Sequence, residues 1–258
     1  MAIDIIKDIE KSVRGAIEEY ENREDVETGF GEPIIAYMNS DDVLFDTFFA
    51  RGGFDHPKRI YRPSYTVILH YVPFAENPYE AGDEALQKRC FDDGTKLAMS
   101  INRAIRGSLN KIGRLTSYAS SMSDWNMKKN QHEWSNKLAA FVAGIGELGP
   151  AGSLHIDDTK PCYYGTASVM LVDAKYAPPK VERTEAELEQ IWQQILSDCC
   201  FKGAQNVHCS EEMIAACPAG AIEEDGIDRE KCQEYCLKIN SYIPAPENCG
   251  QCFRFKEK

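Results

Sequence analysis

The cysteines of this chain are concentrated near its C-terminal end. Eight of the ten lie after residue 198, and only Cys90 and Cys162 precede it. Cys217 is followed directly by a proline, and Cys249 and Cys252 form a Cys-x2-Cys pair. A cysteine–proline step together with such a pair is typical of the ligands of an iron–sulfur cluster. The sequence therefore predicts an electron-transfer module joined to a larger body.

One set of four cysteines has spacing suited to a [4Fe–4S] cluster, namely Cys217, Cys232, Cys249 and Cys252. The proline after Cys217 fixes φ and removes a donor, which helps turn the chain away from a cluster. Four more cysteines remain in this region: Cys199, Cys200, Cys209 and Cys236. The bacterial three-cysteine run would place its members, counting back from Cys217, at Met213, Ser210 and Val207. None of these is cysteine. The four remaining cysteines could hold a second cluster, but their spacing is poor, and we expect one cluster.

Two other interpretations of the cysteines stay open. Zinc also binds four cysteines, but structural zinc sites typically use two short pairs, and only one short pair is present here. The thiols can also be buried small residues, an interpretation that suits adjacent Cys199 and Cys200 at a helix end. The cysteine–proline step favours iron–sulfur over both.

Length and composition limit the classes of protein to which this chain can belong. The 258 residues suffice for one large domain or two smaller ones, and no apolar run is long enough to span a membrane. The N-terminal residues resemble a helix and not a signal peptide, so we expect a cytoplasmic protein with reduced thiols. The net charge of −12 argues against nucleic acid as the main partner.

Hydrophobic periodicity predicts an α+β chain. Helices are expected over residues 1–22, 85–113 and 136–142, and strands over 34–38, 66–72 and 168–172. Thr184, followed three residues later by Glu187, is the capping-box signature of another helix. Residues 39–60, which carry Asp, Gly and Pro, are predicted to be loop. We place a domain boundary near residues 174–198.

A Gly-x-Gly-x-x-Gly pattern occurs at Gly144, Gly146 and Gly149. In a dinucleotide-binding fold this pattern follows a strand and opens a helix. Here a helical segment precedes it and Pro150 follows it, so the context does not favour NAD or FAD. Considered alone, the pattern predicts a tight turn between a helix and a strand.

The same segment resembles the central signature of the epoxyqueuosine reductases, which are cobalamin-dependent iron–sulfur enzymes and share an architecture with the reductive dehalogenases. The resemblance lies in residues 143–149, Ser153 to Ile156, Gly165 and the strand that ends Leu171-Val172-Asp173, followed by the cysteine–proline step and the Cys-x2-Cys pair. It implies a nitroreductase-like α/β body that binds cobalamin, over residues 1–180. It also implies a small ferredoxin-like [4Fe–4S] domain over residues 181–258.

The resemblance implies roles for particular residues. Cys217, Cys232, Cys249 and Cys252 would ligate the cluster nearer the corrinoid. The corrinoid would lie beside Gly144, Gly146, Gly149, Ser153, Leu154 and Gly165. Asn130 falls near the position of the family's catalytic Asp and cannot supply a carboxylic proton, so His132 and Glu133 are the candidate general acids. His132 can equally be a surface or helix-capping residue.

These expectations define a function and an alternative to it. The chain would be an iron–sulfur oxidoreductase that passes single electrons from its cluster to a corrinoid, for reduction of an unknown small molecule or of a corrinoid protein. Ferredoxin or flavodoxin would be its low-potential electron donor. The alternative is an electron-transfer or corrinoid-activating protein with no substrate of its own, and a purely structural cluster is a third hypothesis.

Overall fold

The computed structural model describes residues 2–78, 84–119, 125–126, 131–132, 134–149, 153–156, 164–199, 209–239 and 252. The part of the chain it describes is mixed α and β, built around a four-stranded antiparallel sheet with strand order β1-β2-β8-β3. These strands span Ile34–Asn39 (β1), Thr66–Pro73 (β2), Thr116–Tyr118 (β3) and Gly165–Val172 (β8). The three strands expected from the sequence all lie in this sheet.

Strand β2 is the buried centre of the sheet. Its eight residues are all buried, because helices cover both of its faces. Val67 and Leu69 point into one apolar cluster, whereas Ile68 and Val72 point into a second cluster on the opposite face. This alternation follows from the two-residue period of a strand.

Two long helices cover one face of the sheet. Helix α1 spans Ala2–Glu21 and helix α4 spans Glu84–Asn110, close to the predicted ranges. Their apolar residues recur at three- and four-residue steps and are buried against the sheet: Ile9, Val13, Leu97, Ile101, Ile105 and Leu109. Helix α4 ends a few residues before the predicted end, and Gly113 in the following turn has a φ of 72°.

The prediction of loop for residues 39–60 is wrong. Helix α2 spans Val43–Thr47, a single π-helical turn spans Phe48–Gly52, and helix α3 spans Pro57–Ile60. Phe45 and Phe48 of this segment are buried in the cluster on the second face of the sheet. The segment is helical because tertiary burial of its aromatic residues outweighs the turn-forming tendency of its Asp, Gly and Pro residues.

Shorter elements build the second face of the sheet. Helix α5 spans Asn136–Val142, and strands β6 (Glu147–Gly149) and β7 (Ser153–His155) form a hairpin after it. Strands β4 (Trp125–Asn126) and β5 (Gln131–His132) pair with each other. Leu138, Leu148 and Leu154 bury their side chains in the same apolar cluster as Phe45 and Phe48.

Helix α6, over Glu185–Asp198, has the predicted capping box. The Thr184 hydroxyl accepts a hydrogen bond from the Glu187 backbone N–H (3.3 Å), and the Glu187 carboxylate accepts one from the Thr184 N–H (2.6 Å). Leu188, Trp192 and Ile195 bury this helix against the second face of the sheet.

The described C-terminal residues form two short helices and a hairpin. It consists of α7 (Glu211–Ala216), the hairpin strands β9 (Ile222–Glu223) and β10 (Gly226–Ile227), and α8 (Arg229–Ile239). We call the described residues from 2 to 199 the body, and residues 209–239 together with Cys252 the tail. Among the described residues, no helix has the length and apolar character needed to cross a membrane.

Candidate functional site

Cys217 lies at the end of helix α7 and begins a tight turn. The Ser210 hydroxyl caps the start of the helix by accepting a hydrogen bond from the Met213 N–H (3.2 Å). The helix stops at Cys217, which is extended and precedes Pro218. The Gly220 N–H then donates to the Cys217 carbonyl (3.1 Å), and Gly220 has a φ of 59° that favours glycine. The Cys-Pro-Ala-Gly run thus forms a turn that reverses the chain beside the sulfur.

This turn supplies a hydrogen-bond donor to the sulfur of Cys217. The Ala221 backbone N–H points at Cys217 Sγ across 3.3 Å. Hydrogen bonds from backbone N–H groups to ligand sulfurs are one of the features that tune iron–sulfur clusters. The assignment of Cys217 as a ligand stays a prediction.

Backbone hydrogen bonds connect this turn to Cys232. The Ala221 carbonyl accepts from the Asp228 N–H (2.7 Å), and the Asp228 carbonyl accepts from the Cys232 N–H (3.1 Å). Cys232 therefore lies in the first turn of α8. Two backbone hydrogen bonds connect it through Asp228 to Ala221, whose N–H donates to Cys217 Sγ. The β9–β10 hairpin closes the loop between these two points.

A small apolar cluster supports the cysteines. Its buried members are Cys209, Met213 and Ile222, and Cys217 and Cys252 pack against it while remaining partly exposed. Cys232 is also partly exposed. Three of the four predicted ligands are thus half-buried thiols in the tail, and the fourth, Cys249, lies outside the described residues.

The described cysteines are not arranged as a metal site. No group of three or more His, Cys, Asp or Glu side chains within the described ranges is placed to hold a metal ion. Cys217, Cys232 and Cys252 are reduced thiols, as are the other four described cysteines. The structure therefore does not bring the three described ligands together, and iron–sulfur ligation stays a prediction.

The remaining cysteines of this region are more deeply buried. Cys199 ends helix α6 and belongs to the body's apolar cluster, as expected for a small buried residue at a helix end. Cys209 and Cys236 are also buried, and Cys200 lies outside the described residues.

Arg229, which the sequence analysis did not single out, is the first residue of helix α8 and is exposed. Partial burial of the guanidinium lowers the pKa of Arg229, whereas the thiols of Cys199 and Cys232 raise it. No motif marks this arginine.

The glycine-rich turn is a helix C-terminal motif. The Gly144 N–H donates to the Phe141 carbonyl (3.0 Å) and the Ile145 N–H donates to the Ala140 carbonyl (2.9 Å), which is the Schellman pattern. Gly144 has a φ of 69°, and its missing side chain leaves open space with no atom within 4 Å. A helix precedes the turn and strand β6 follows it, so the turn lacks the strand-then-helix context of a dinucleotide site.

Two further predicted corrinoid contacts take part in the body's packing. A Cβ on Gly165 would lie 2.4 Å from the Val72 carbonyl oxygen and 2.6 Å from the Tyr71 ring, so the Tyr71 side chain fills the space that this glycine leaves. Leu154 is buried in the apolar cluster. Gly149 and Ser153 pair across the β6–β7 hairpin, and Gly146 has a φ of 76°.

The candidate general acids lie at the limit of the described structure. The backbone of His132 lies in β5 opposite Trp125, whereas Glu133 and Asn130 are outside the described residues. The next residue, Trp134, is buried, and its indole N–H donates to the Asn136 side chain (2.9 Å). This hydrogen bond links Trp134 to the first residue of helix α5.

Solved structures of epoxyqueuosine reductases are similar to this chain. One, in complex with an epoxyqueuosine-modified tRNA-Tyr stem loop, has a TM-score of 0.53 at 11% identity, with 98% of this chain and 64% of that chain covered. A selenomethionine-labelled epoxyqueuosine reductase has a TM-score of 0.48 at 13% identity over 94% of this chain and 64% of that chain. The Bacillus subtilis enzyme, with its catalytic loop swung out of the active site, has a TM-score of 0.47 at 12% identity over 95% and 64%.

No protein-family model and no curated protein matches the sequence. The chain spans about two thirds of the length of these structural relatives, 64% of each. The predicted resemblance is confirmed at the level of fold by the structure in complex with the stem loop. The described residues of this chain adopt the fold of the epoxyqueuosine reductases.

Proposed function

We propose that this chain is an iron–sulfur oxidoreductase that passes single electrons from one [4Fe–4S] cluster to a corrinoid held by its body, for reduction of a substrate. Cys217, Cys232, Cys249 and Cys252 would ligate the cluster. The observation that carries the proposal is the turn that aims the Ala221 N–H at Cys217 Sγ. The shared fold supports the proposal independently of that turn.

Each part of the chain has a separate task in this proposal. A ferredoxin-like tail holds the cluster, and its N–H donor favours the more negative, reduced form. A nitroreductase-like body binds the corrinoid and excludes water from it. When bound, a reduced corrinoid supplies a strong nucleophile or one-electron reductant.

The body's glycine turn is the candidate contact for the corrinoid. The open space beside Gly144 lets another group approach the backbone closely, whereas the space at Gly165 is filled by Tyr71. His132 or Glu133 would hold the proton for the substrate. A ferredoxin or flavodoxin would supply the electrons, and the substrate would be a small molecule or a corrinoid protein.

Metal analysis of anaerobically purified protein tests the cluster. We expect iron and acid-labile sulfide in equal amounts, and the protein should absorb broadly at about 400 nm. Cys217→Ser, Cys232→Ser, Cys249→Ser and Cys252→Ser should each lose most of the iron. Cys90→Ala is the matched control, because Cys90 is buried in helix α4 of the body, and it should keep its iron. Stoichiometric zinc, or equal iron in all five variants, would overturn the proposal.

Titration with free cobalamin tests the corrinoid and separates the alternative function. We expect the reduced protein to shift the cobalamin absorption bands on binding. Reduction of a corrinoid protein added in its oxidised form, without binding of free cobalamin, would instead identify an activating protein with no substrate of its own. Absence of both effects in cluster-loaded protein would refute the corrinoid role.

A further inference from the structure

We propose that the groove between helices α1 and α4 is the interface of a two-fold symmetric dimer of this chain. In this dimer each groove is covered by the same two helices of the second copy. The two helices lie on the face of the sheet opposite to helices α5 and α6. The inference therefore concerns a surface that the proposed function does not use.

The groove runs along the outer side of the two helices and has a volume of about 650 Å³. Gly15 of α1 and Gly107 of α4 belong to its lining, and both are exposed. A Cβ at either position would meet no neighbouring atom within 4 Å. The distance between packed helices depends on the side chains at their contact, so this groove leaves room for helices of another molecule to approach closely.

Two opposite charges of the groove have no ion-pair partner among the described residues. Glu19 of α1 and Lys111 of α4 line the groove, and both are exposed. Arg23, at one end of the groove, is by contrast paired with Asp25 (2.8 Å). An acid and a base that stay unpaired on one surface can satisfy each other when two copies of that surface meet.

Two hydrogen bonds fix how the helices lie side by side. The Ser12 and Ser108 hydroxyls are 2.7 Å apart, and the Tyr20 hydroxyl donates to the Asp93 carboxylate across 3.4 Å. Tyr20 follows Ser12 along α1, whereas Asp93 precedes Ser108 along α4, so the two helices run antiparallel. Residues that follow Ser12 are therefore level with residues that precede Ser108.

This register keeps Glu19 and Lys111 apart within one molecule. With a rise of about 1.5 Å per residue, Glu19 lies about 10 Å from the Ser12–Ser108 hydrogen bond, and Lys111 lies about 5 Å from it in the opposite direction. The two charges are thus about 15 Å apart along the groove, which is too far for an ion pair. Their midpoint lies about 3 Å from that hydrogen bond, on the side of Glu19.

A two-fold axis through this midpoint pairs the charges between copies. Gly15 and Gly107 lie to either side of the midpoint, each within about 2 Å of its level. The axis is perpendicular to the groove, so it reverses the direction of both helices and lays α1 of each copy over α4 of the other. Glu19 of each copy then lies over Lys111 of the other, and the two glycines lie at the centre of the contact.

The two helices offer enough surface for a dimer. Helix α1 has 20 residues and α4 has 27, so the shorter helix is about 30 Å long. Two helices side by side, each about 10 Å wide, present a face of about 600 Å² in outline, and its accessible surface is larger than its outline. A standard interface buries about 800 Å² of each partner. The face is therefore of the size that a stable dimer needs.

Sedimentation equilibrium of the full chain tests the dimer. We expect a species of twice the 29.0 kDa mass of one chain at protein concentrations of about 100 μM. Glu19→Lys and Lys111→Glu each place like charges opposite each other twice in the dimer, and each should raise the dissociation constant at least about tenfold. The double variant Glu19→Lys/Lys111→Glu restores opposite charges and should return the constant to within about threefold of the wild type.

Glu18→Lys is the matched control, because Glu18 is an exposed neighbour on α1 that does not line the groove and the substitution changes the net charge equally. It should change the dissociation constant less than about threefold. Gly15→Leu tests the centre of the contact. Its side chain enters open space in one molecule, so the circular dichroism spectrum should be retained, whereas the groove is filled and the dimer should be lost.

Three outcomes would overturn the inference. One is a wild type that is monomeric at about 100 μM. Another is an equal dissociation constant for the wild type, Glu19→Lys and Gly15→Leu, which would place the contact between copies elsewhere. The third is a double variant that dissociates as readily as the single variants, because the two charges would then not face each other.

Discussion

The body and the tail are built around cores of very different size. The body packs a sheet between two large apolar clusters, and residues such as Ile68, Leu69 and Leu97 are completely buried. Among the described residues of the tail, the apolar cluster has three buried members, one of them a cysteine. We therefore expect apolar burial to contribute more to the stability of the body than to that of the tail. The proposed cluster would contribute to folding of the tail.

Removal of the cluster should have the largest effect on folding, and the effect should differ between the body and the tail. Anaerobic treatment with an iron chelator is expected to leave the body folded and to unfold the tail, because ligand binding contributes directly to folding of a small metal-dependent unit. Hydrogen exchange measures the difference. Amides of residues 211–216 and 229–239 should lose protection, and those of β2 should keep it.

The contrast would fail in two ways. Retained protection of α7 and α8 in iron-free protein would show that the small apolar cluster is sufficient to fold the tail. Loss of protection in β2 would show that the body also depends on the metal.

Truncation of a core side chain should destabilise the body strongly. Leu97 of α4 is completely buried between the helices and the sheet. Leu97→Ala is expected to lower the free energy of unfolding by about 2–5 kcal/mol, from lost burial and the cavity left behind. Urea denaturation measures this value. Met99, two residues later and 51% exposed, provides the control, and Met99→Ala should change the stability by less than about 0.5 kcal/mol.

Acid should destabilise the body through His70. The side chain is completely buried, and burial lowers the pKa of His70 to about 4, although its hydrogen bond with Asn102 opposes that shift. Between pH 6.5 and about 4 the unfolded chain binds a proton that the folded chain does not, so stability falls as the pH falls. The loss approaches about 3 kcal/mol at the low end.

The pH dependence of urea unfolding tests this contribution. His70→Gln should flatten the loss of stability between pH 6.5 and about 4, whatever its effect at neutral pH. Parallel pH profiles for the variant and the wild type would show that the buried imidazole does not carry this effect.

Two glycines of the body should respond oppositely to alanine. Gly165→Ala places a methyl group against the Val72 carbonyl and the Tyr71 ring, and should cost about 1–3 kcal/mol. Gly107 lies within helix α4, and a methyl group there meets nothing within 4 Å. Gly107→Ala should therefore stabilise the protein by about 0.5–1 kcal/mol. Thermal unfolding measures both changes, and changes of the same sign would contradict this account of Gly165.

Local signals predicted much of the fold. The capping box of Thr184 and Glu187, the β-branched run of β2 and the apolar periodicity of α1 and α4 each act over a few neighbouring residues. The helices within residues 39–60 were missed because burial of Phe45 and Phe48 depends on contacts with distant elements. Propensity alone does not register such contacts.

The candidate ligands rest on local sequence signals, and their role stays a prediction. The Cys-Pro step at Cys217 and the Cys-x2-Cys pair that ends at Cys252 can be found without a structure. The packing role of Gly165 could not be found in this way, because it depends on Val72 and Tyr71 of a neighbouring strand. Such contacts arise only once the chain has folded.

Helix α6 has a consequence for how the protein can be dissected. Leu188, Trp192 and Ile195 belong to the body's apolar cluster, and Arg51 forms ion pairs with Glu185 and Glu189 on the outside of the same helix. A fragment that stops at residue 180 would expose the surface that these side chains cover and should aggregate. A fragment that continues through Cys199 keeps that surface covered. It is therefore the shortest fragment in which we expect the body to fold without the tail.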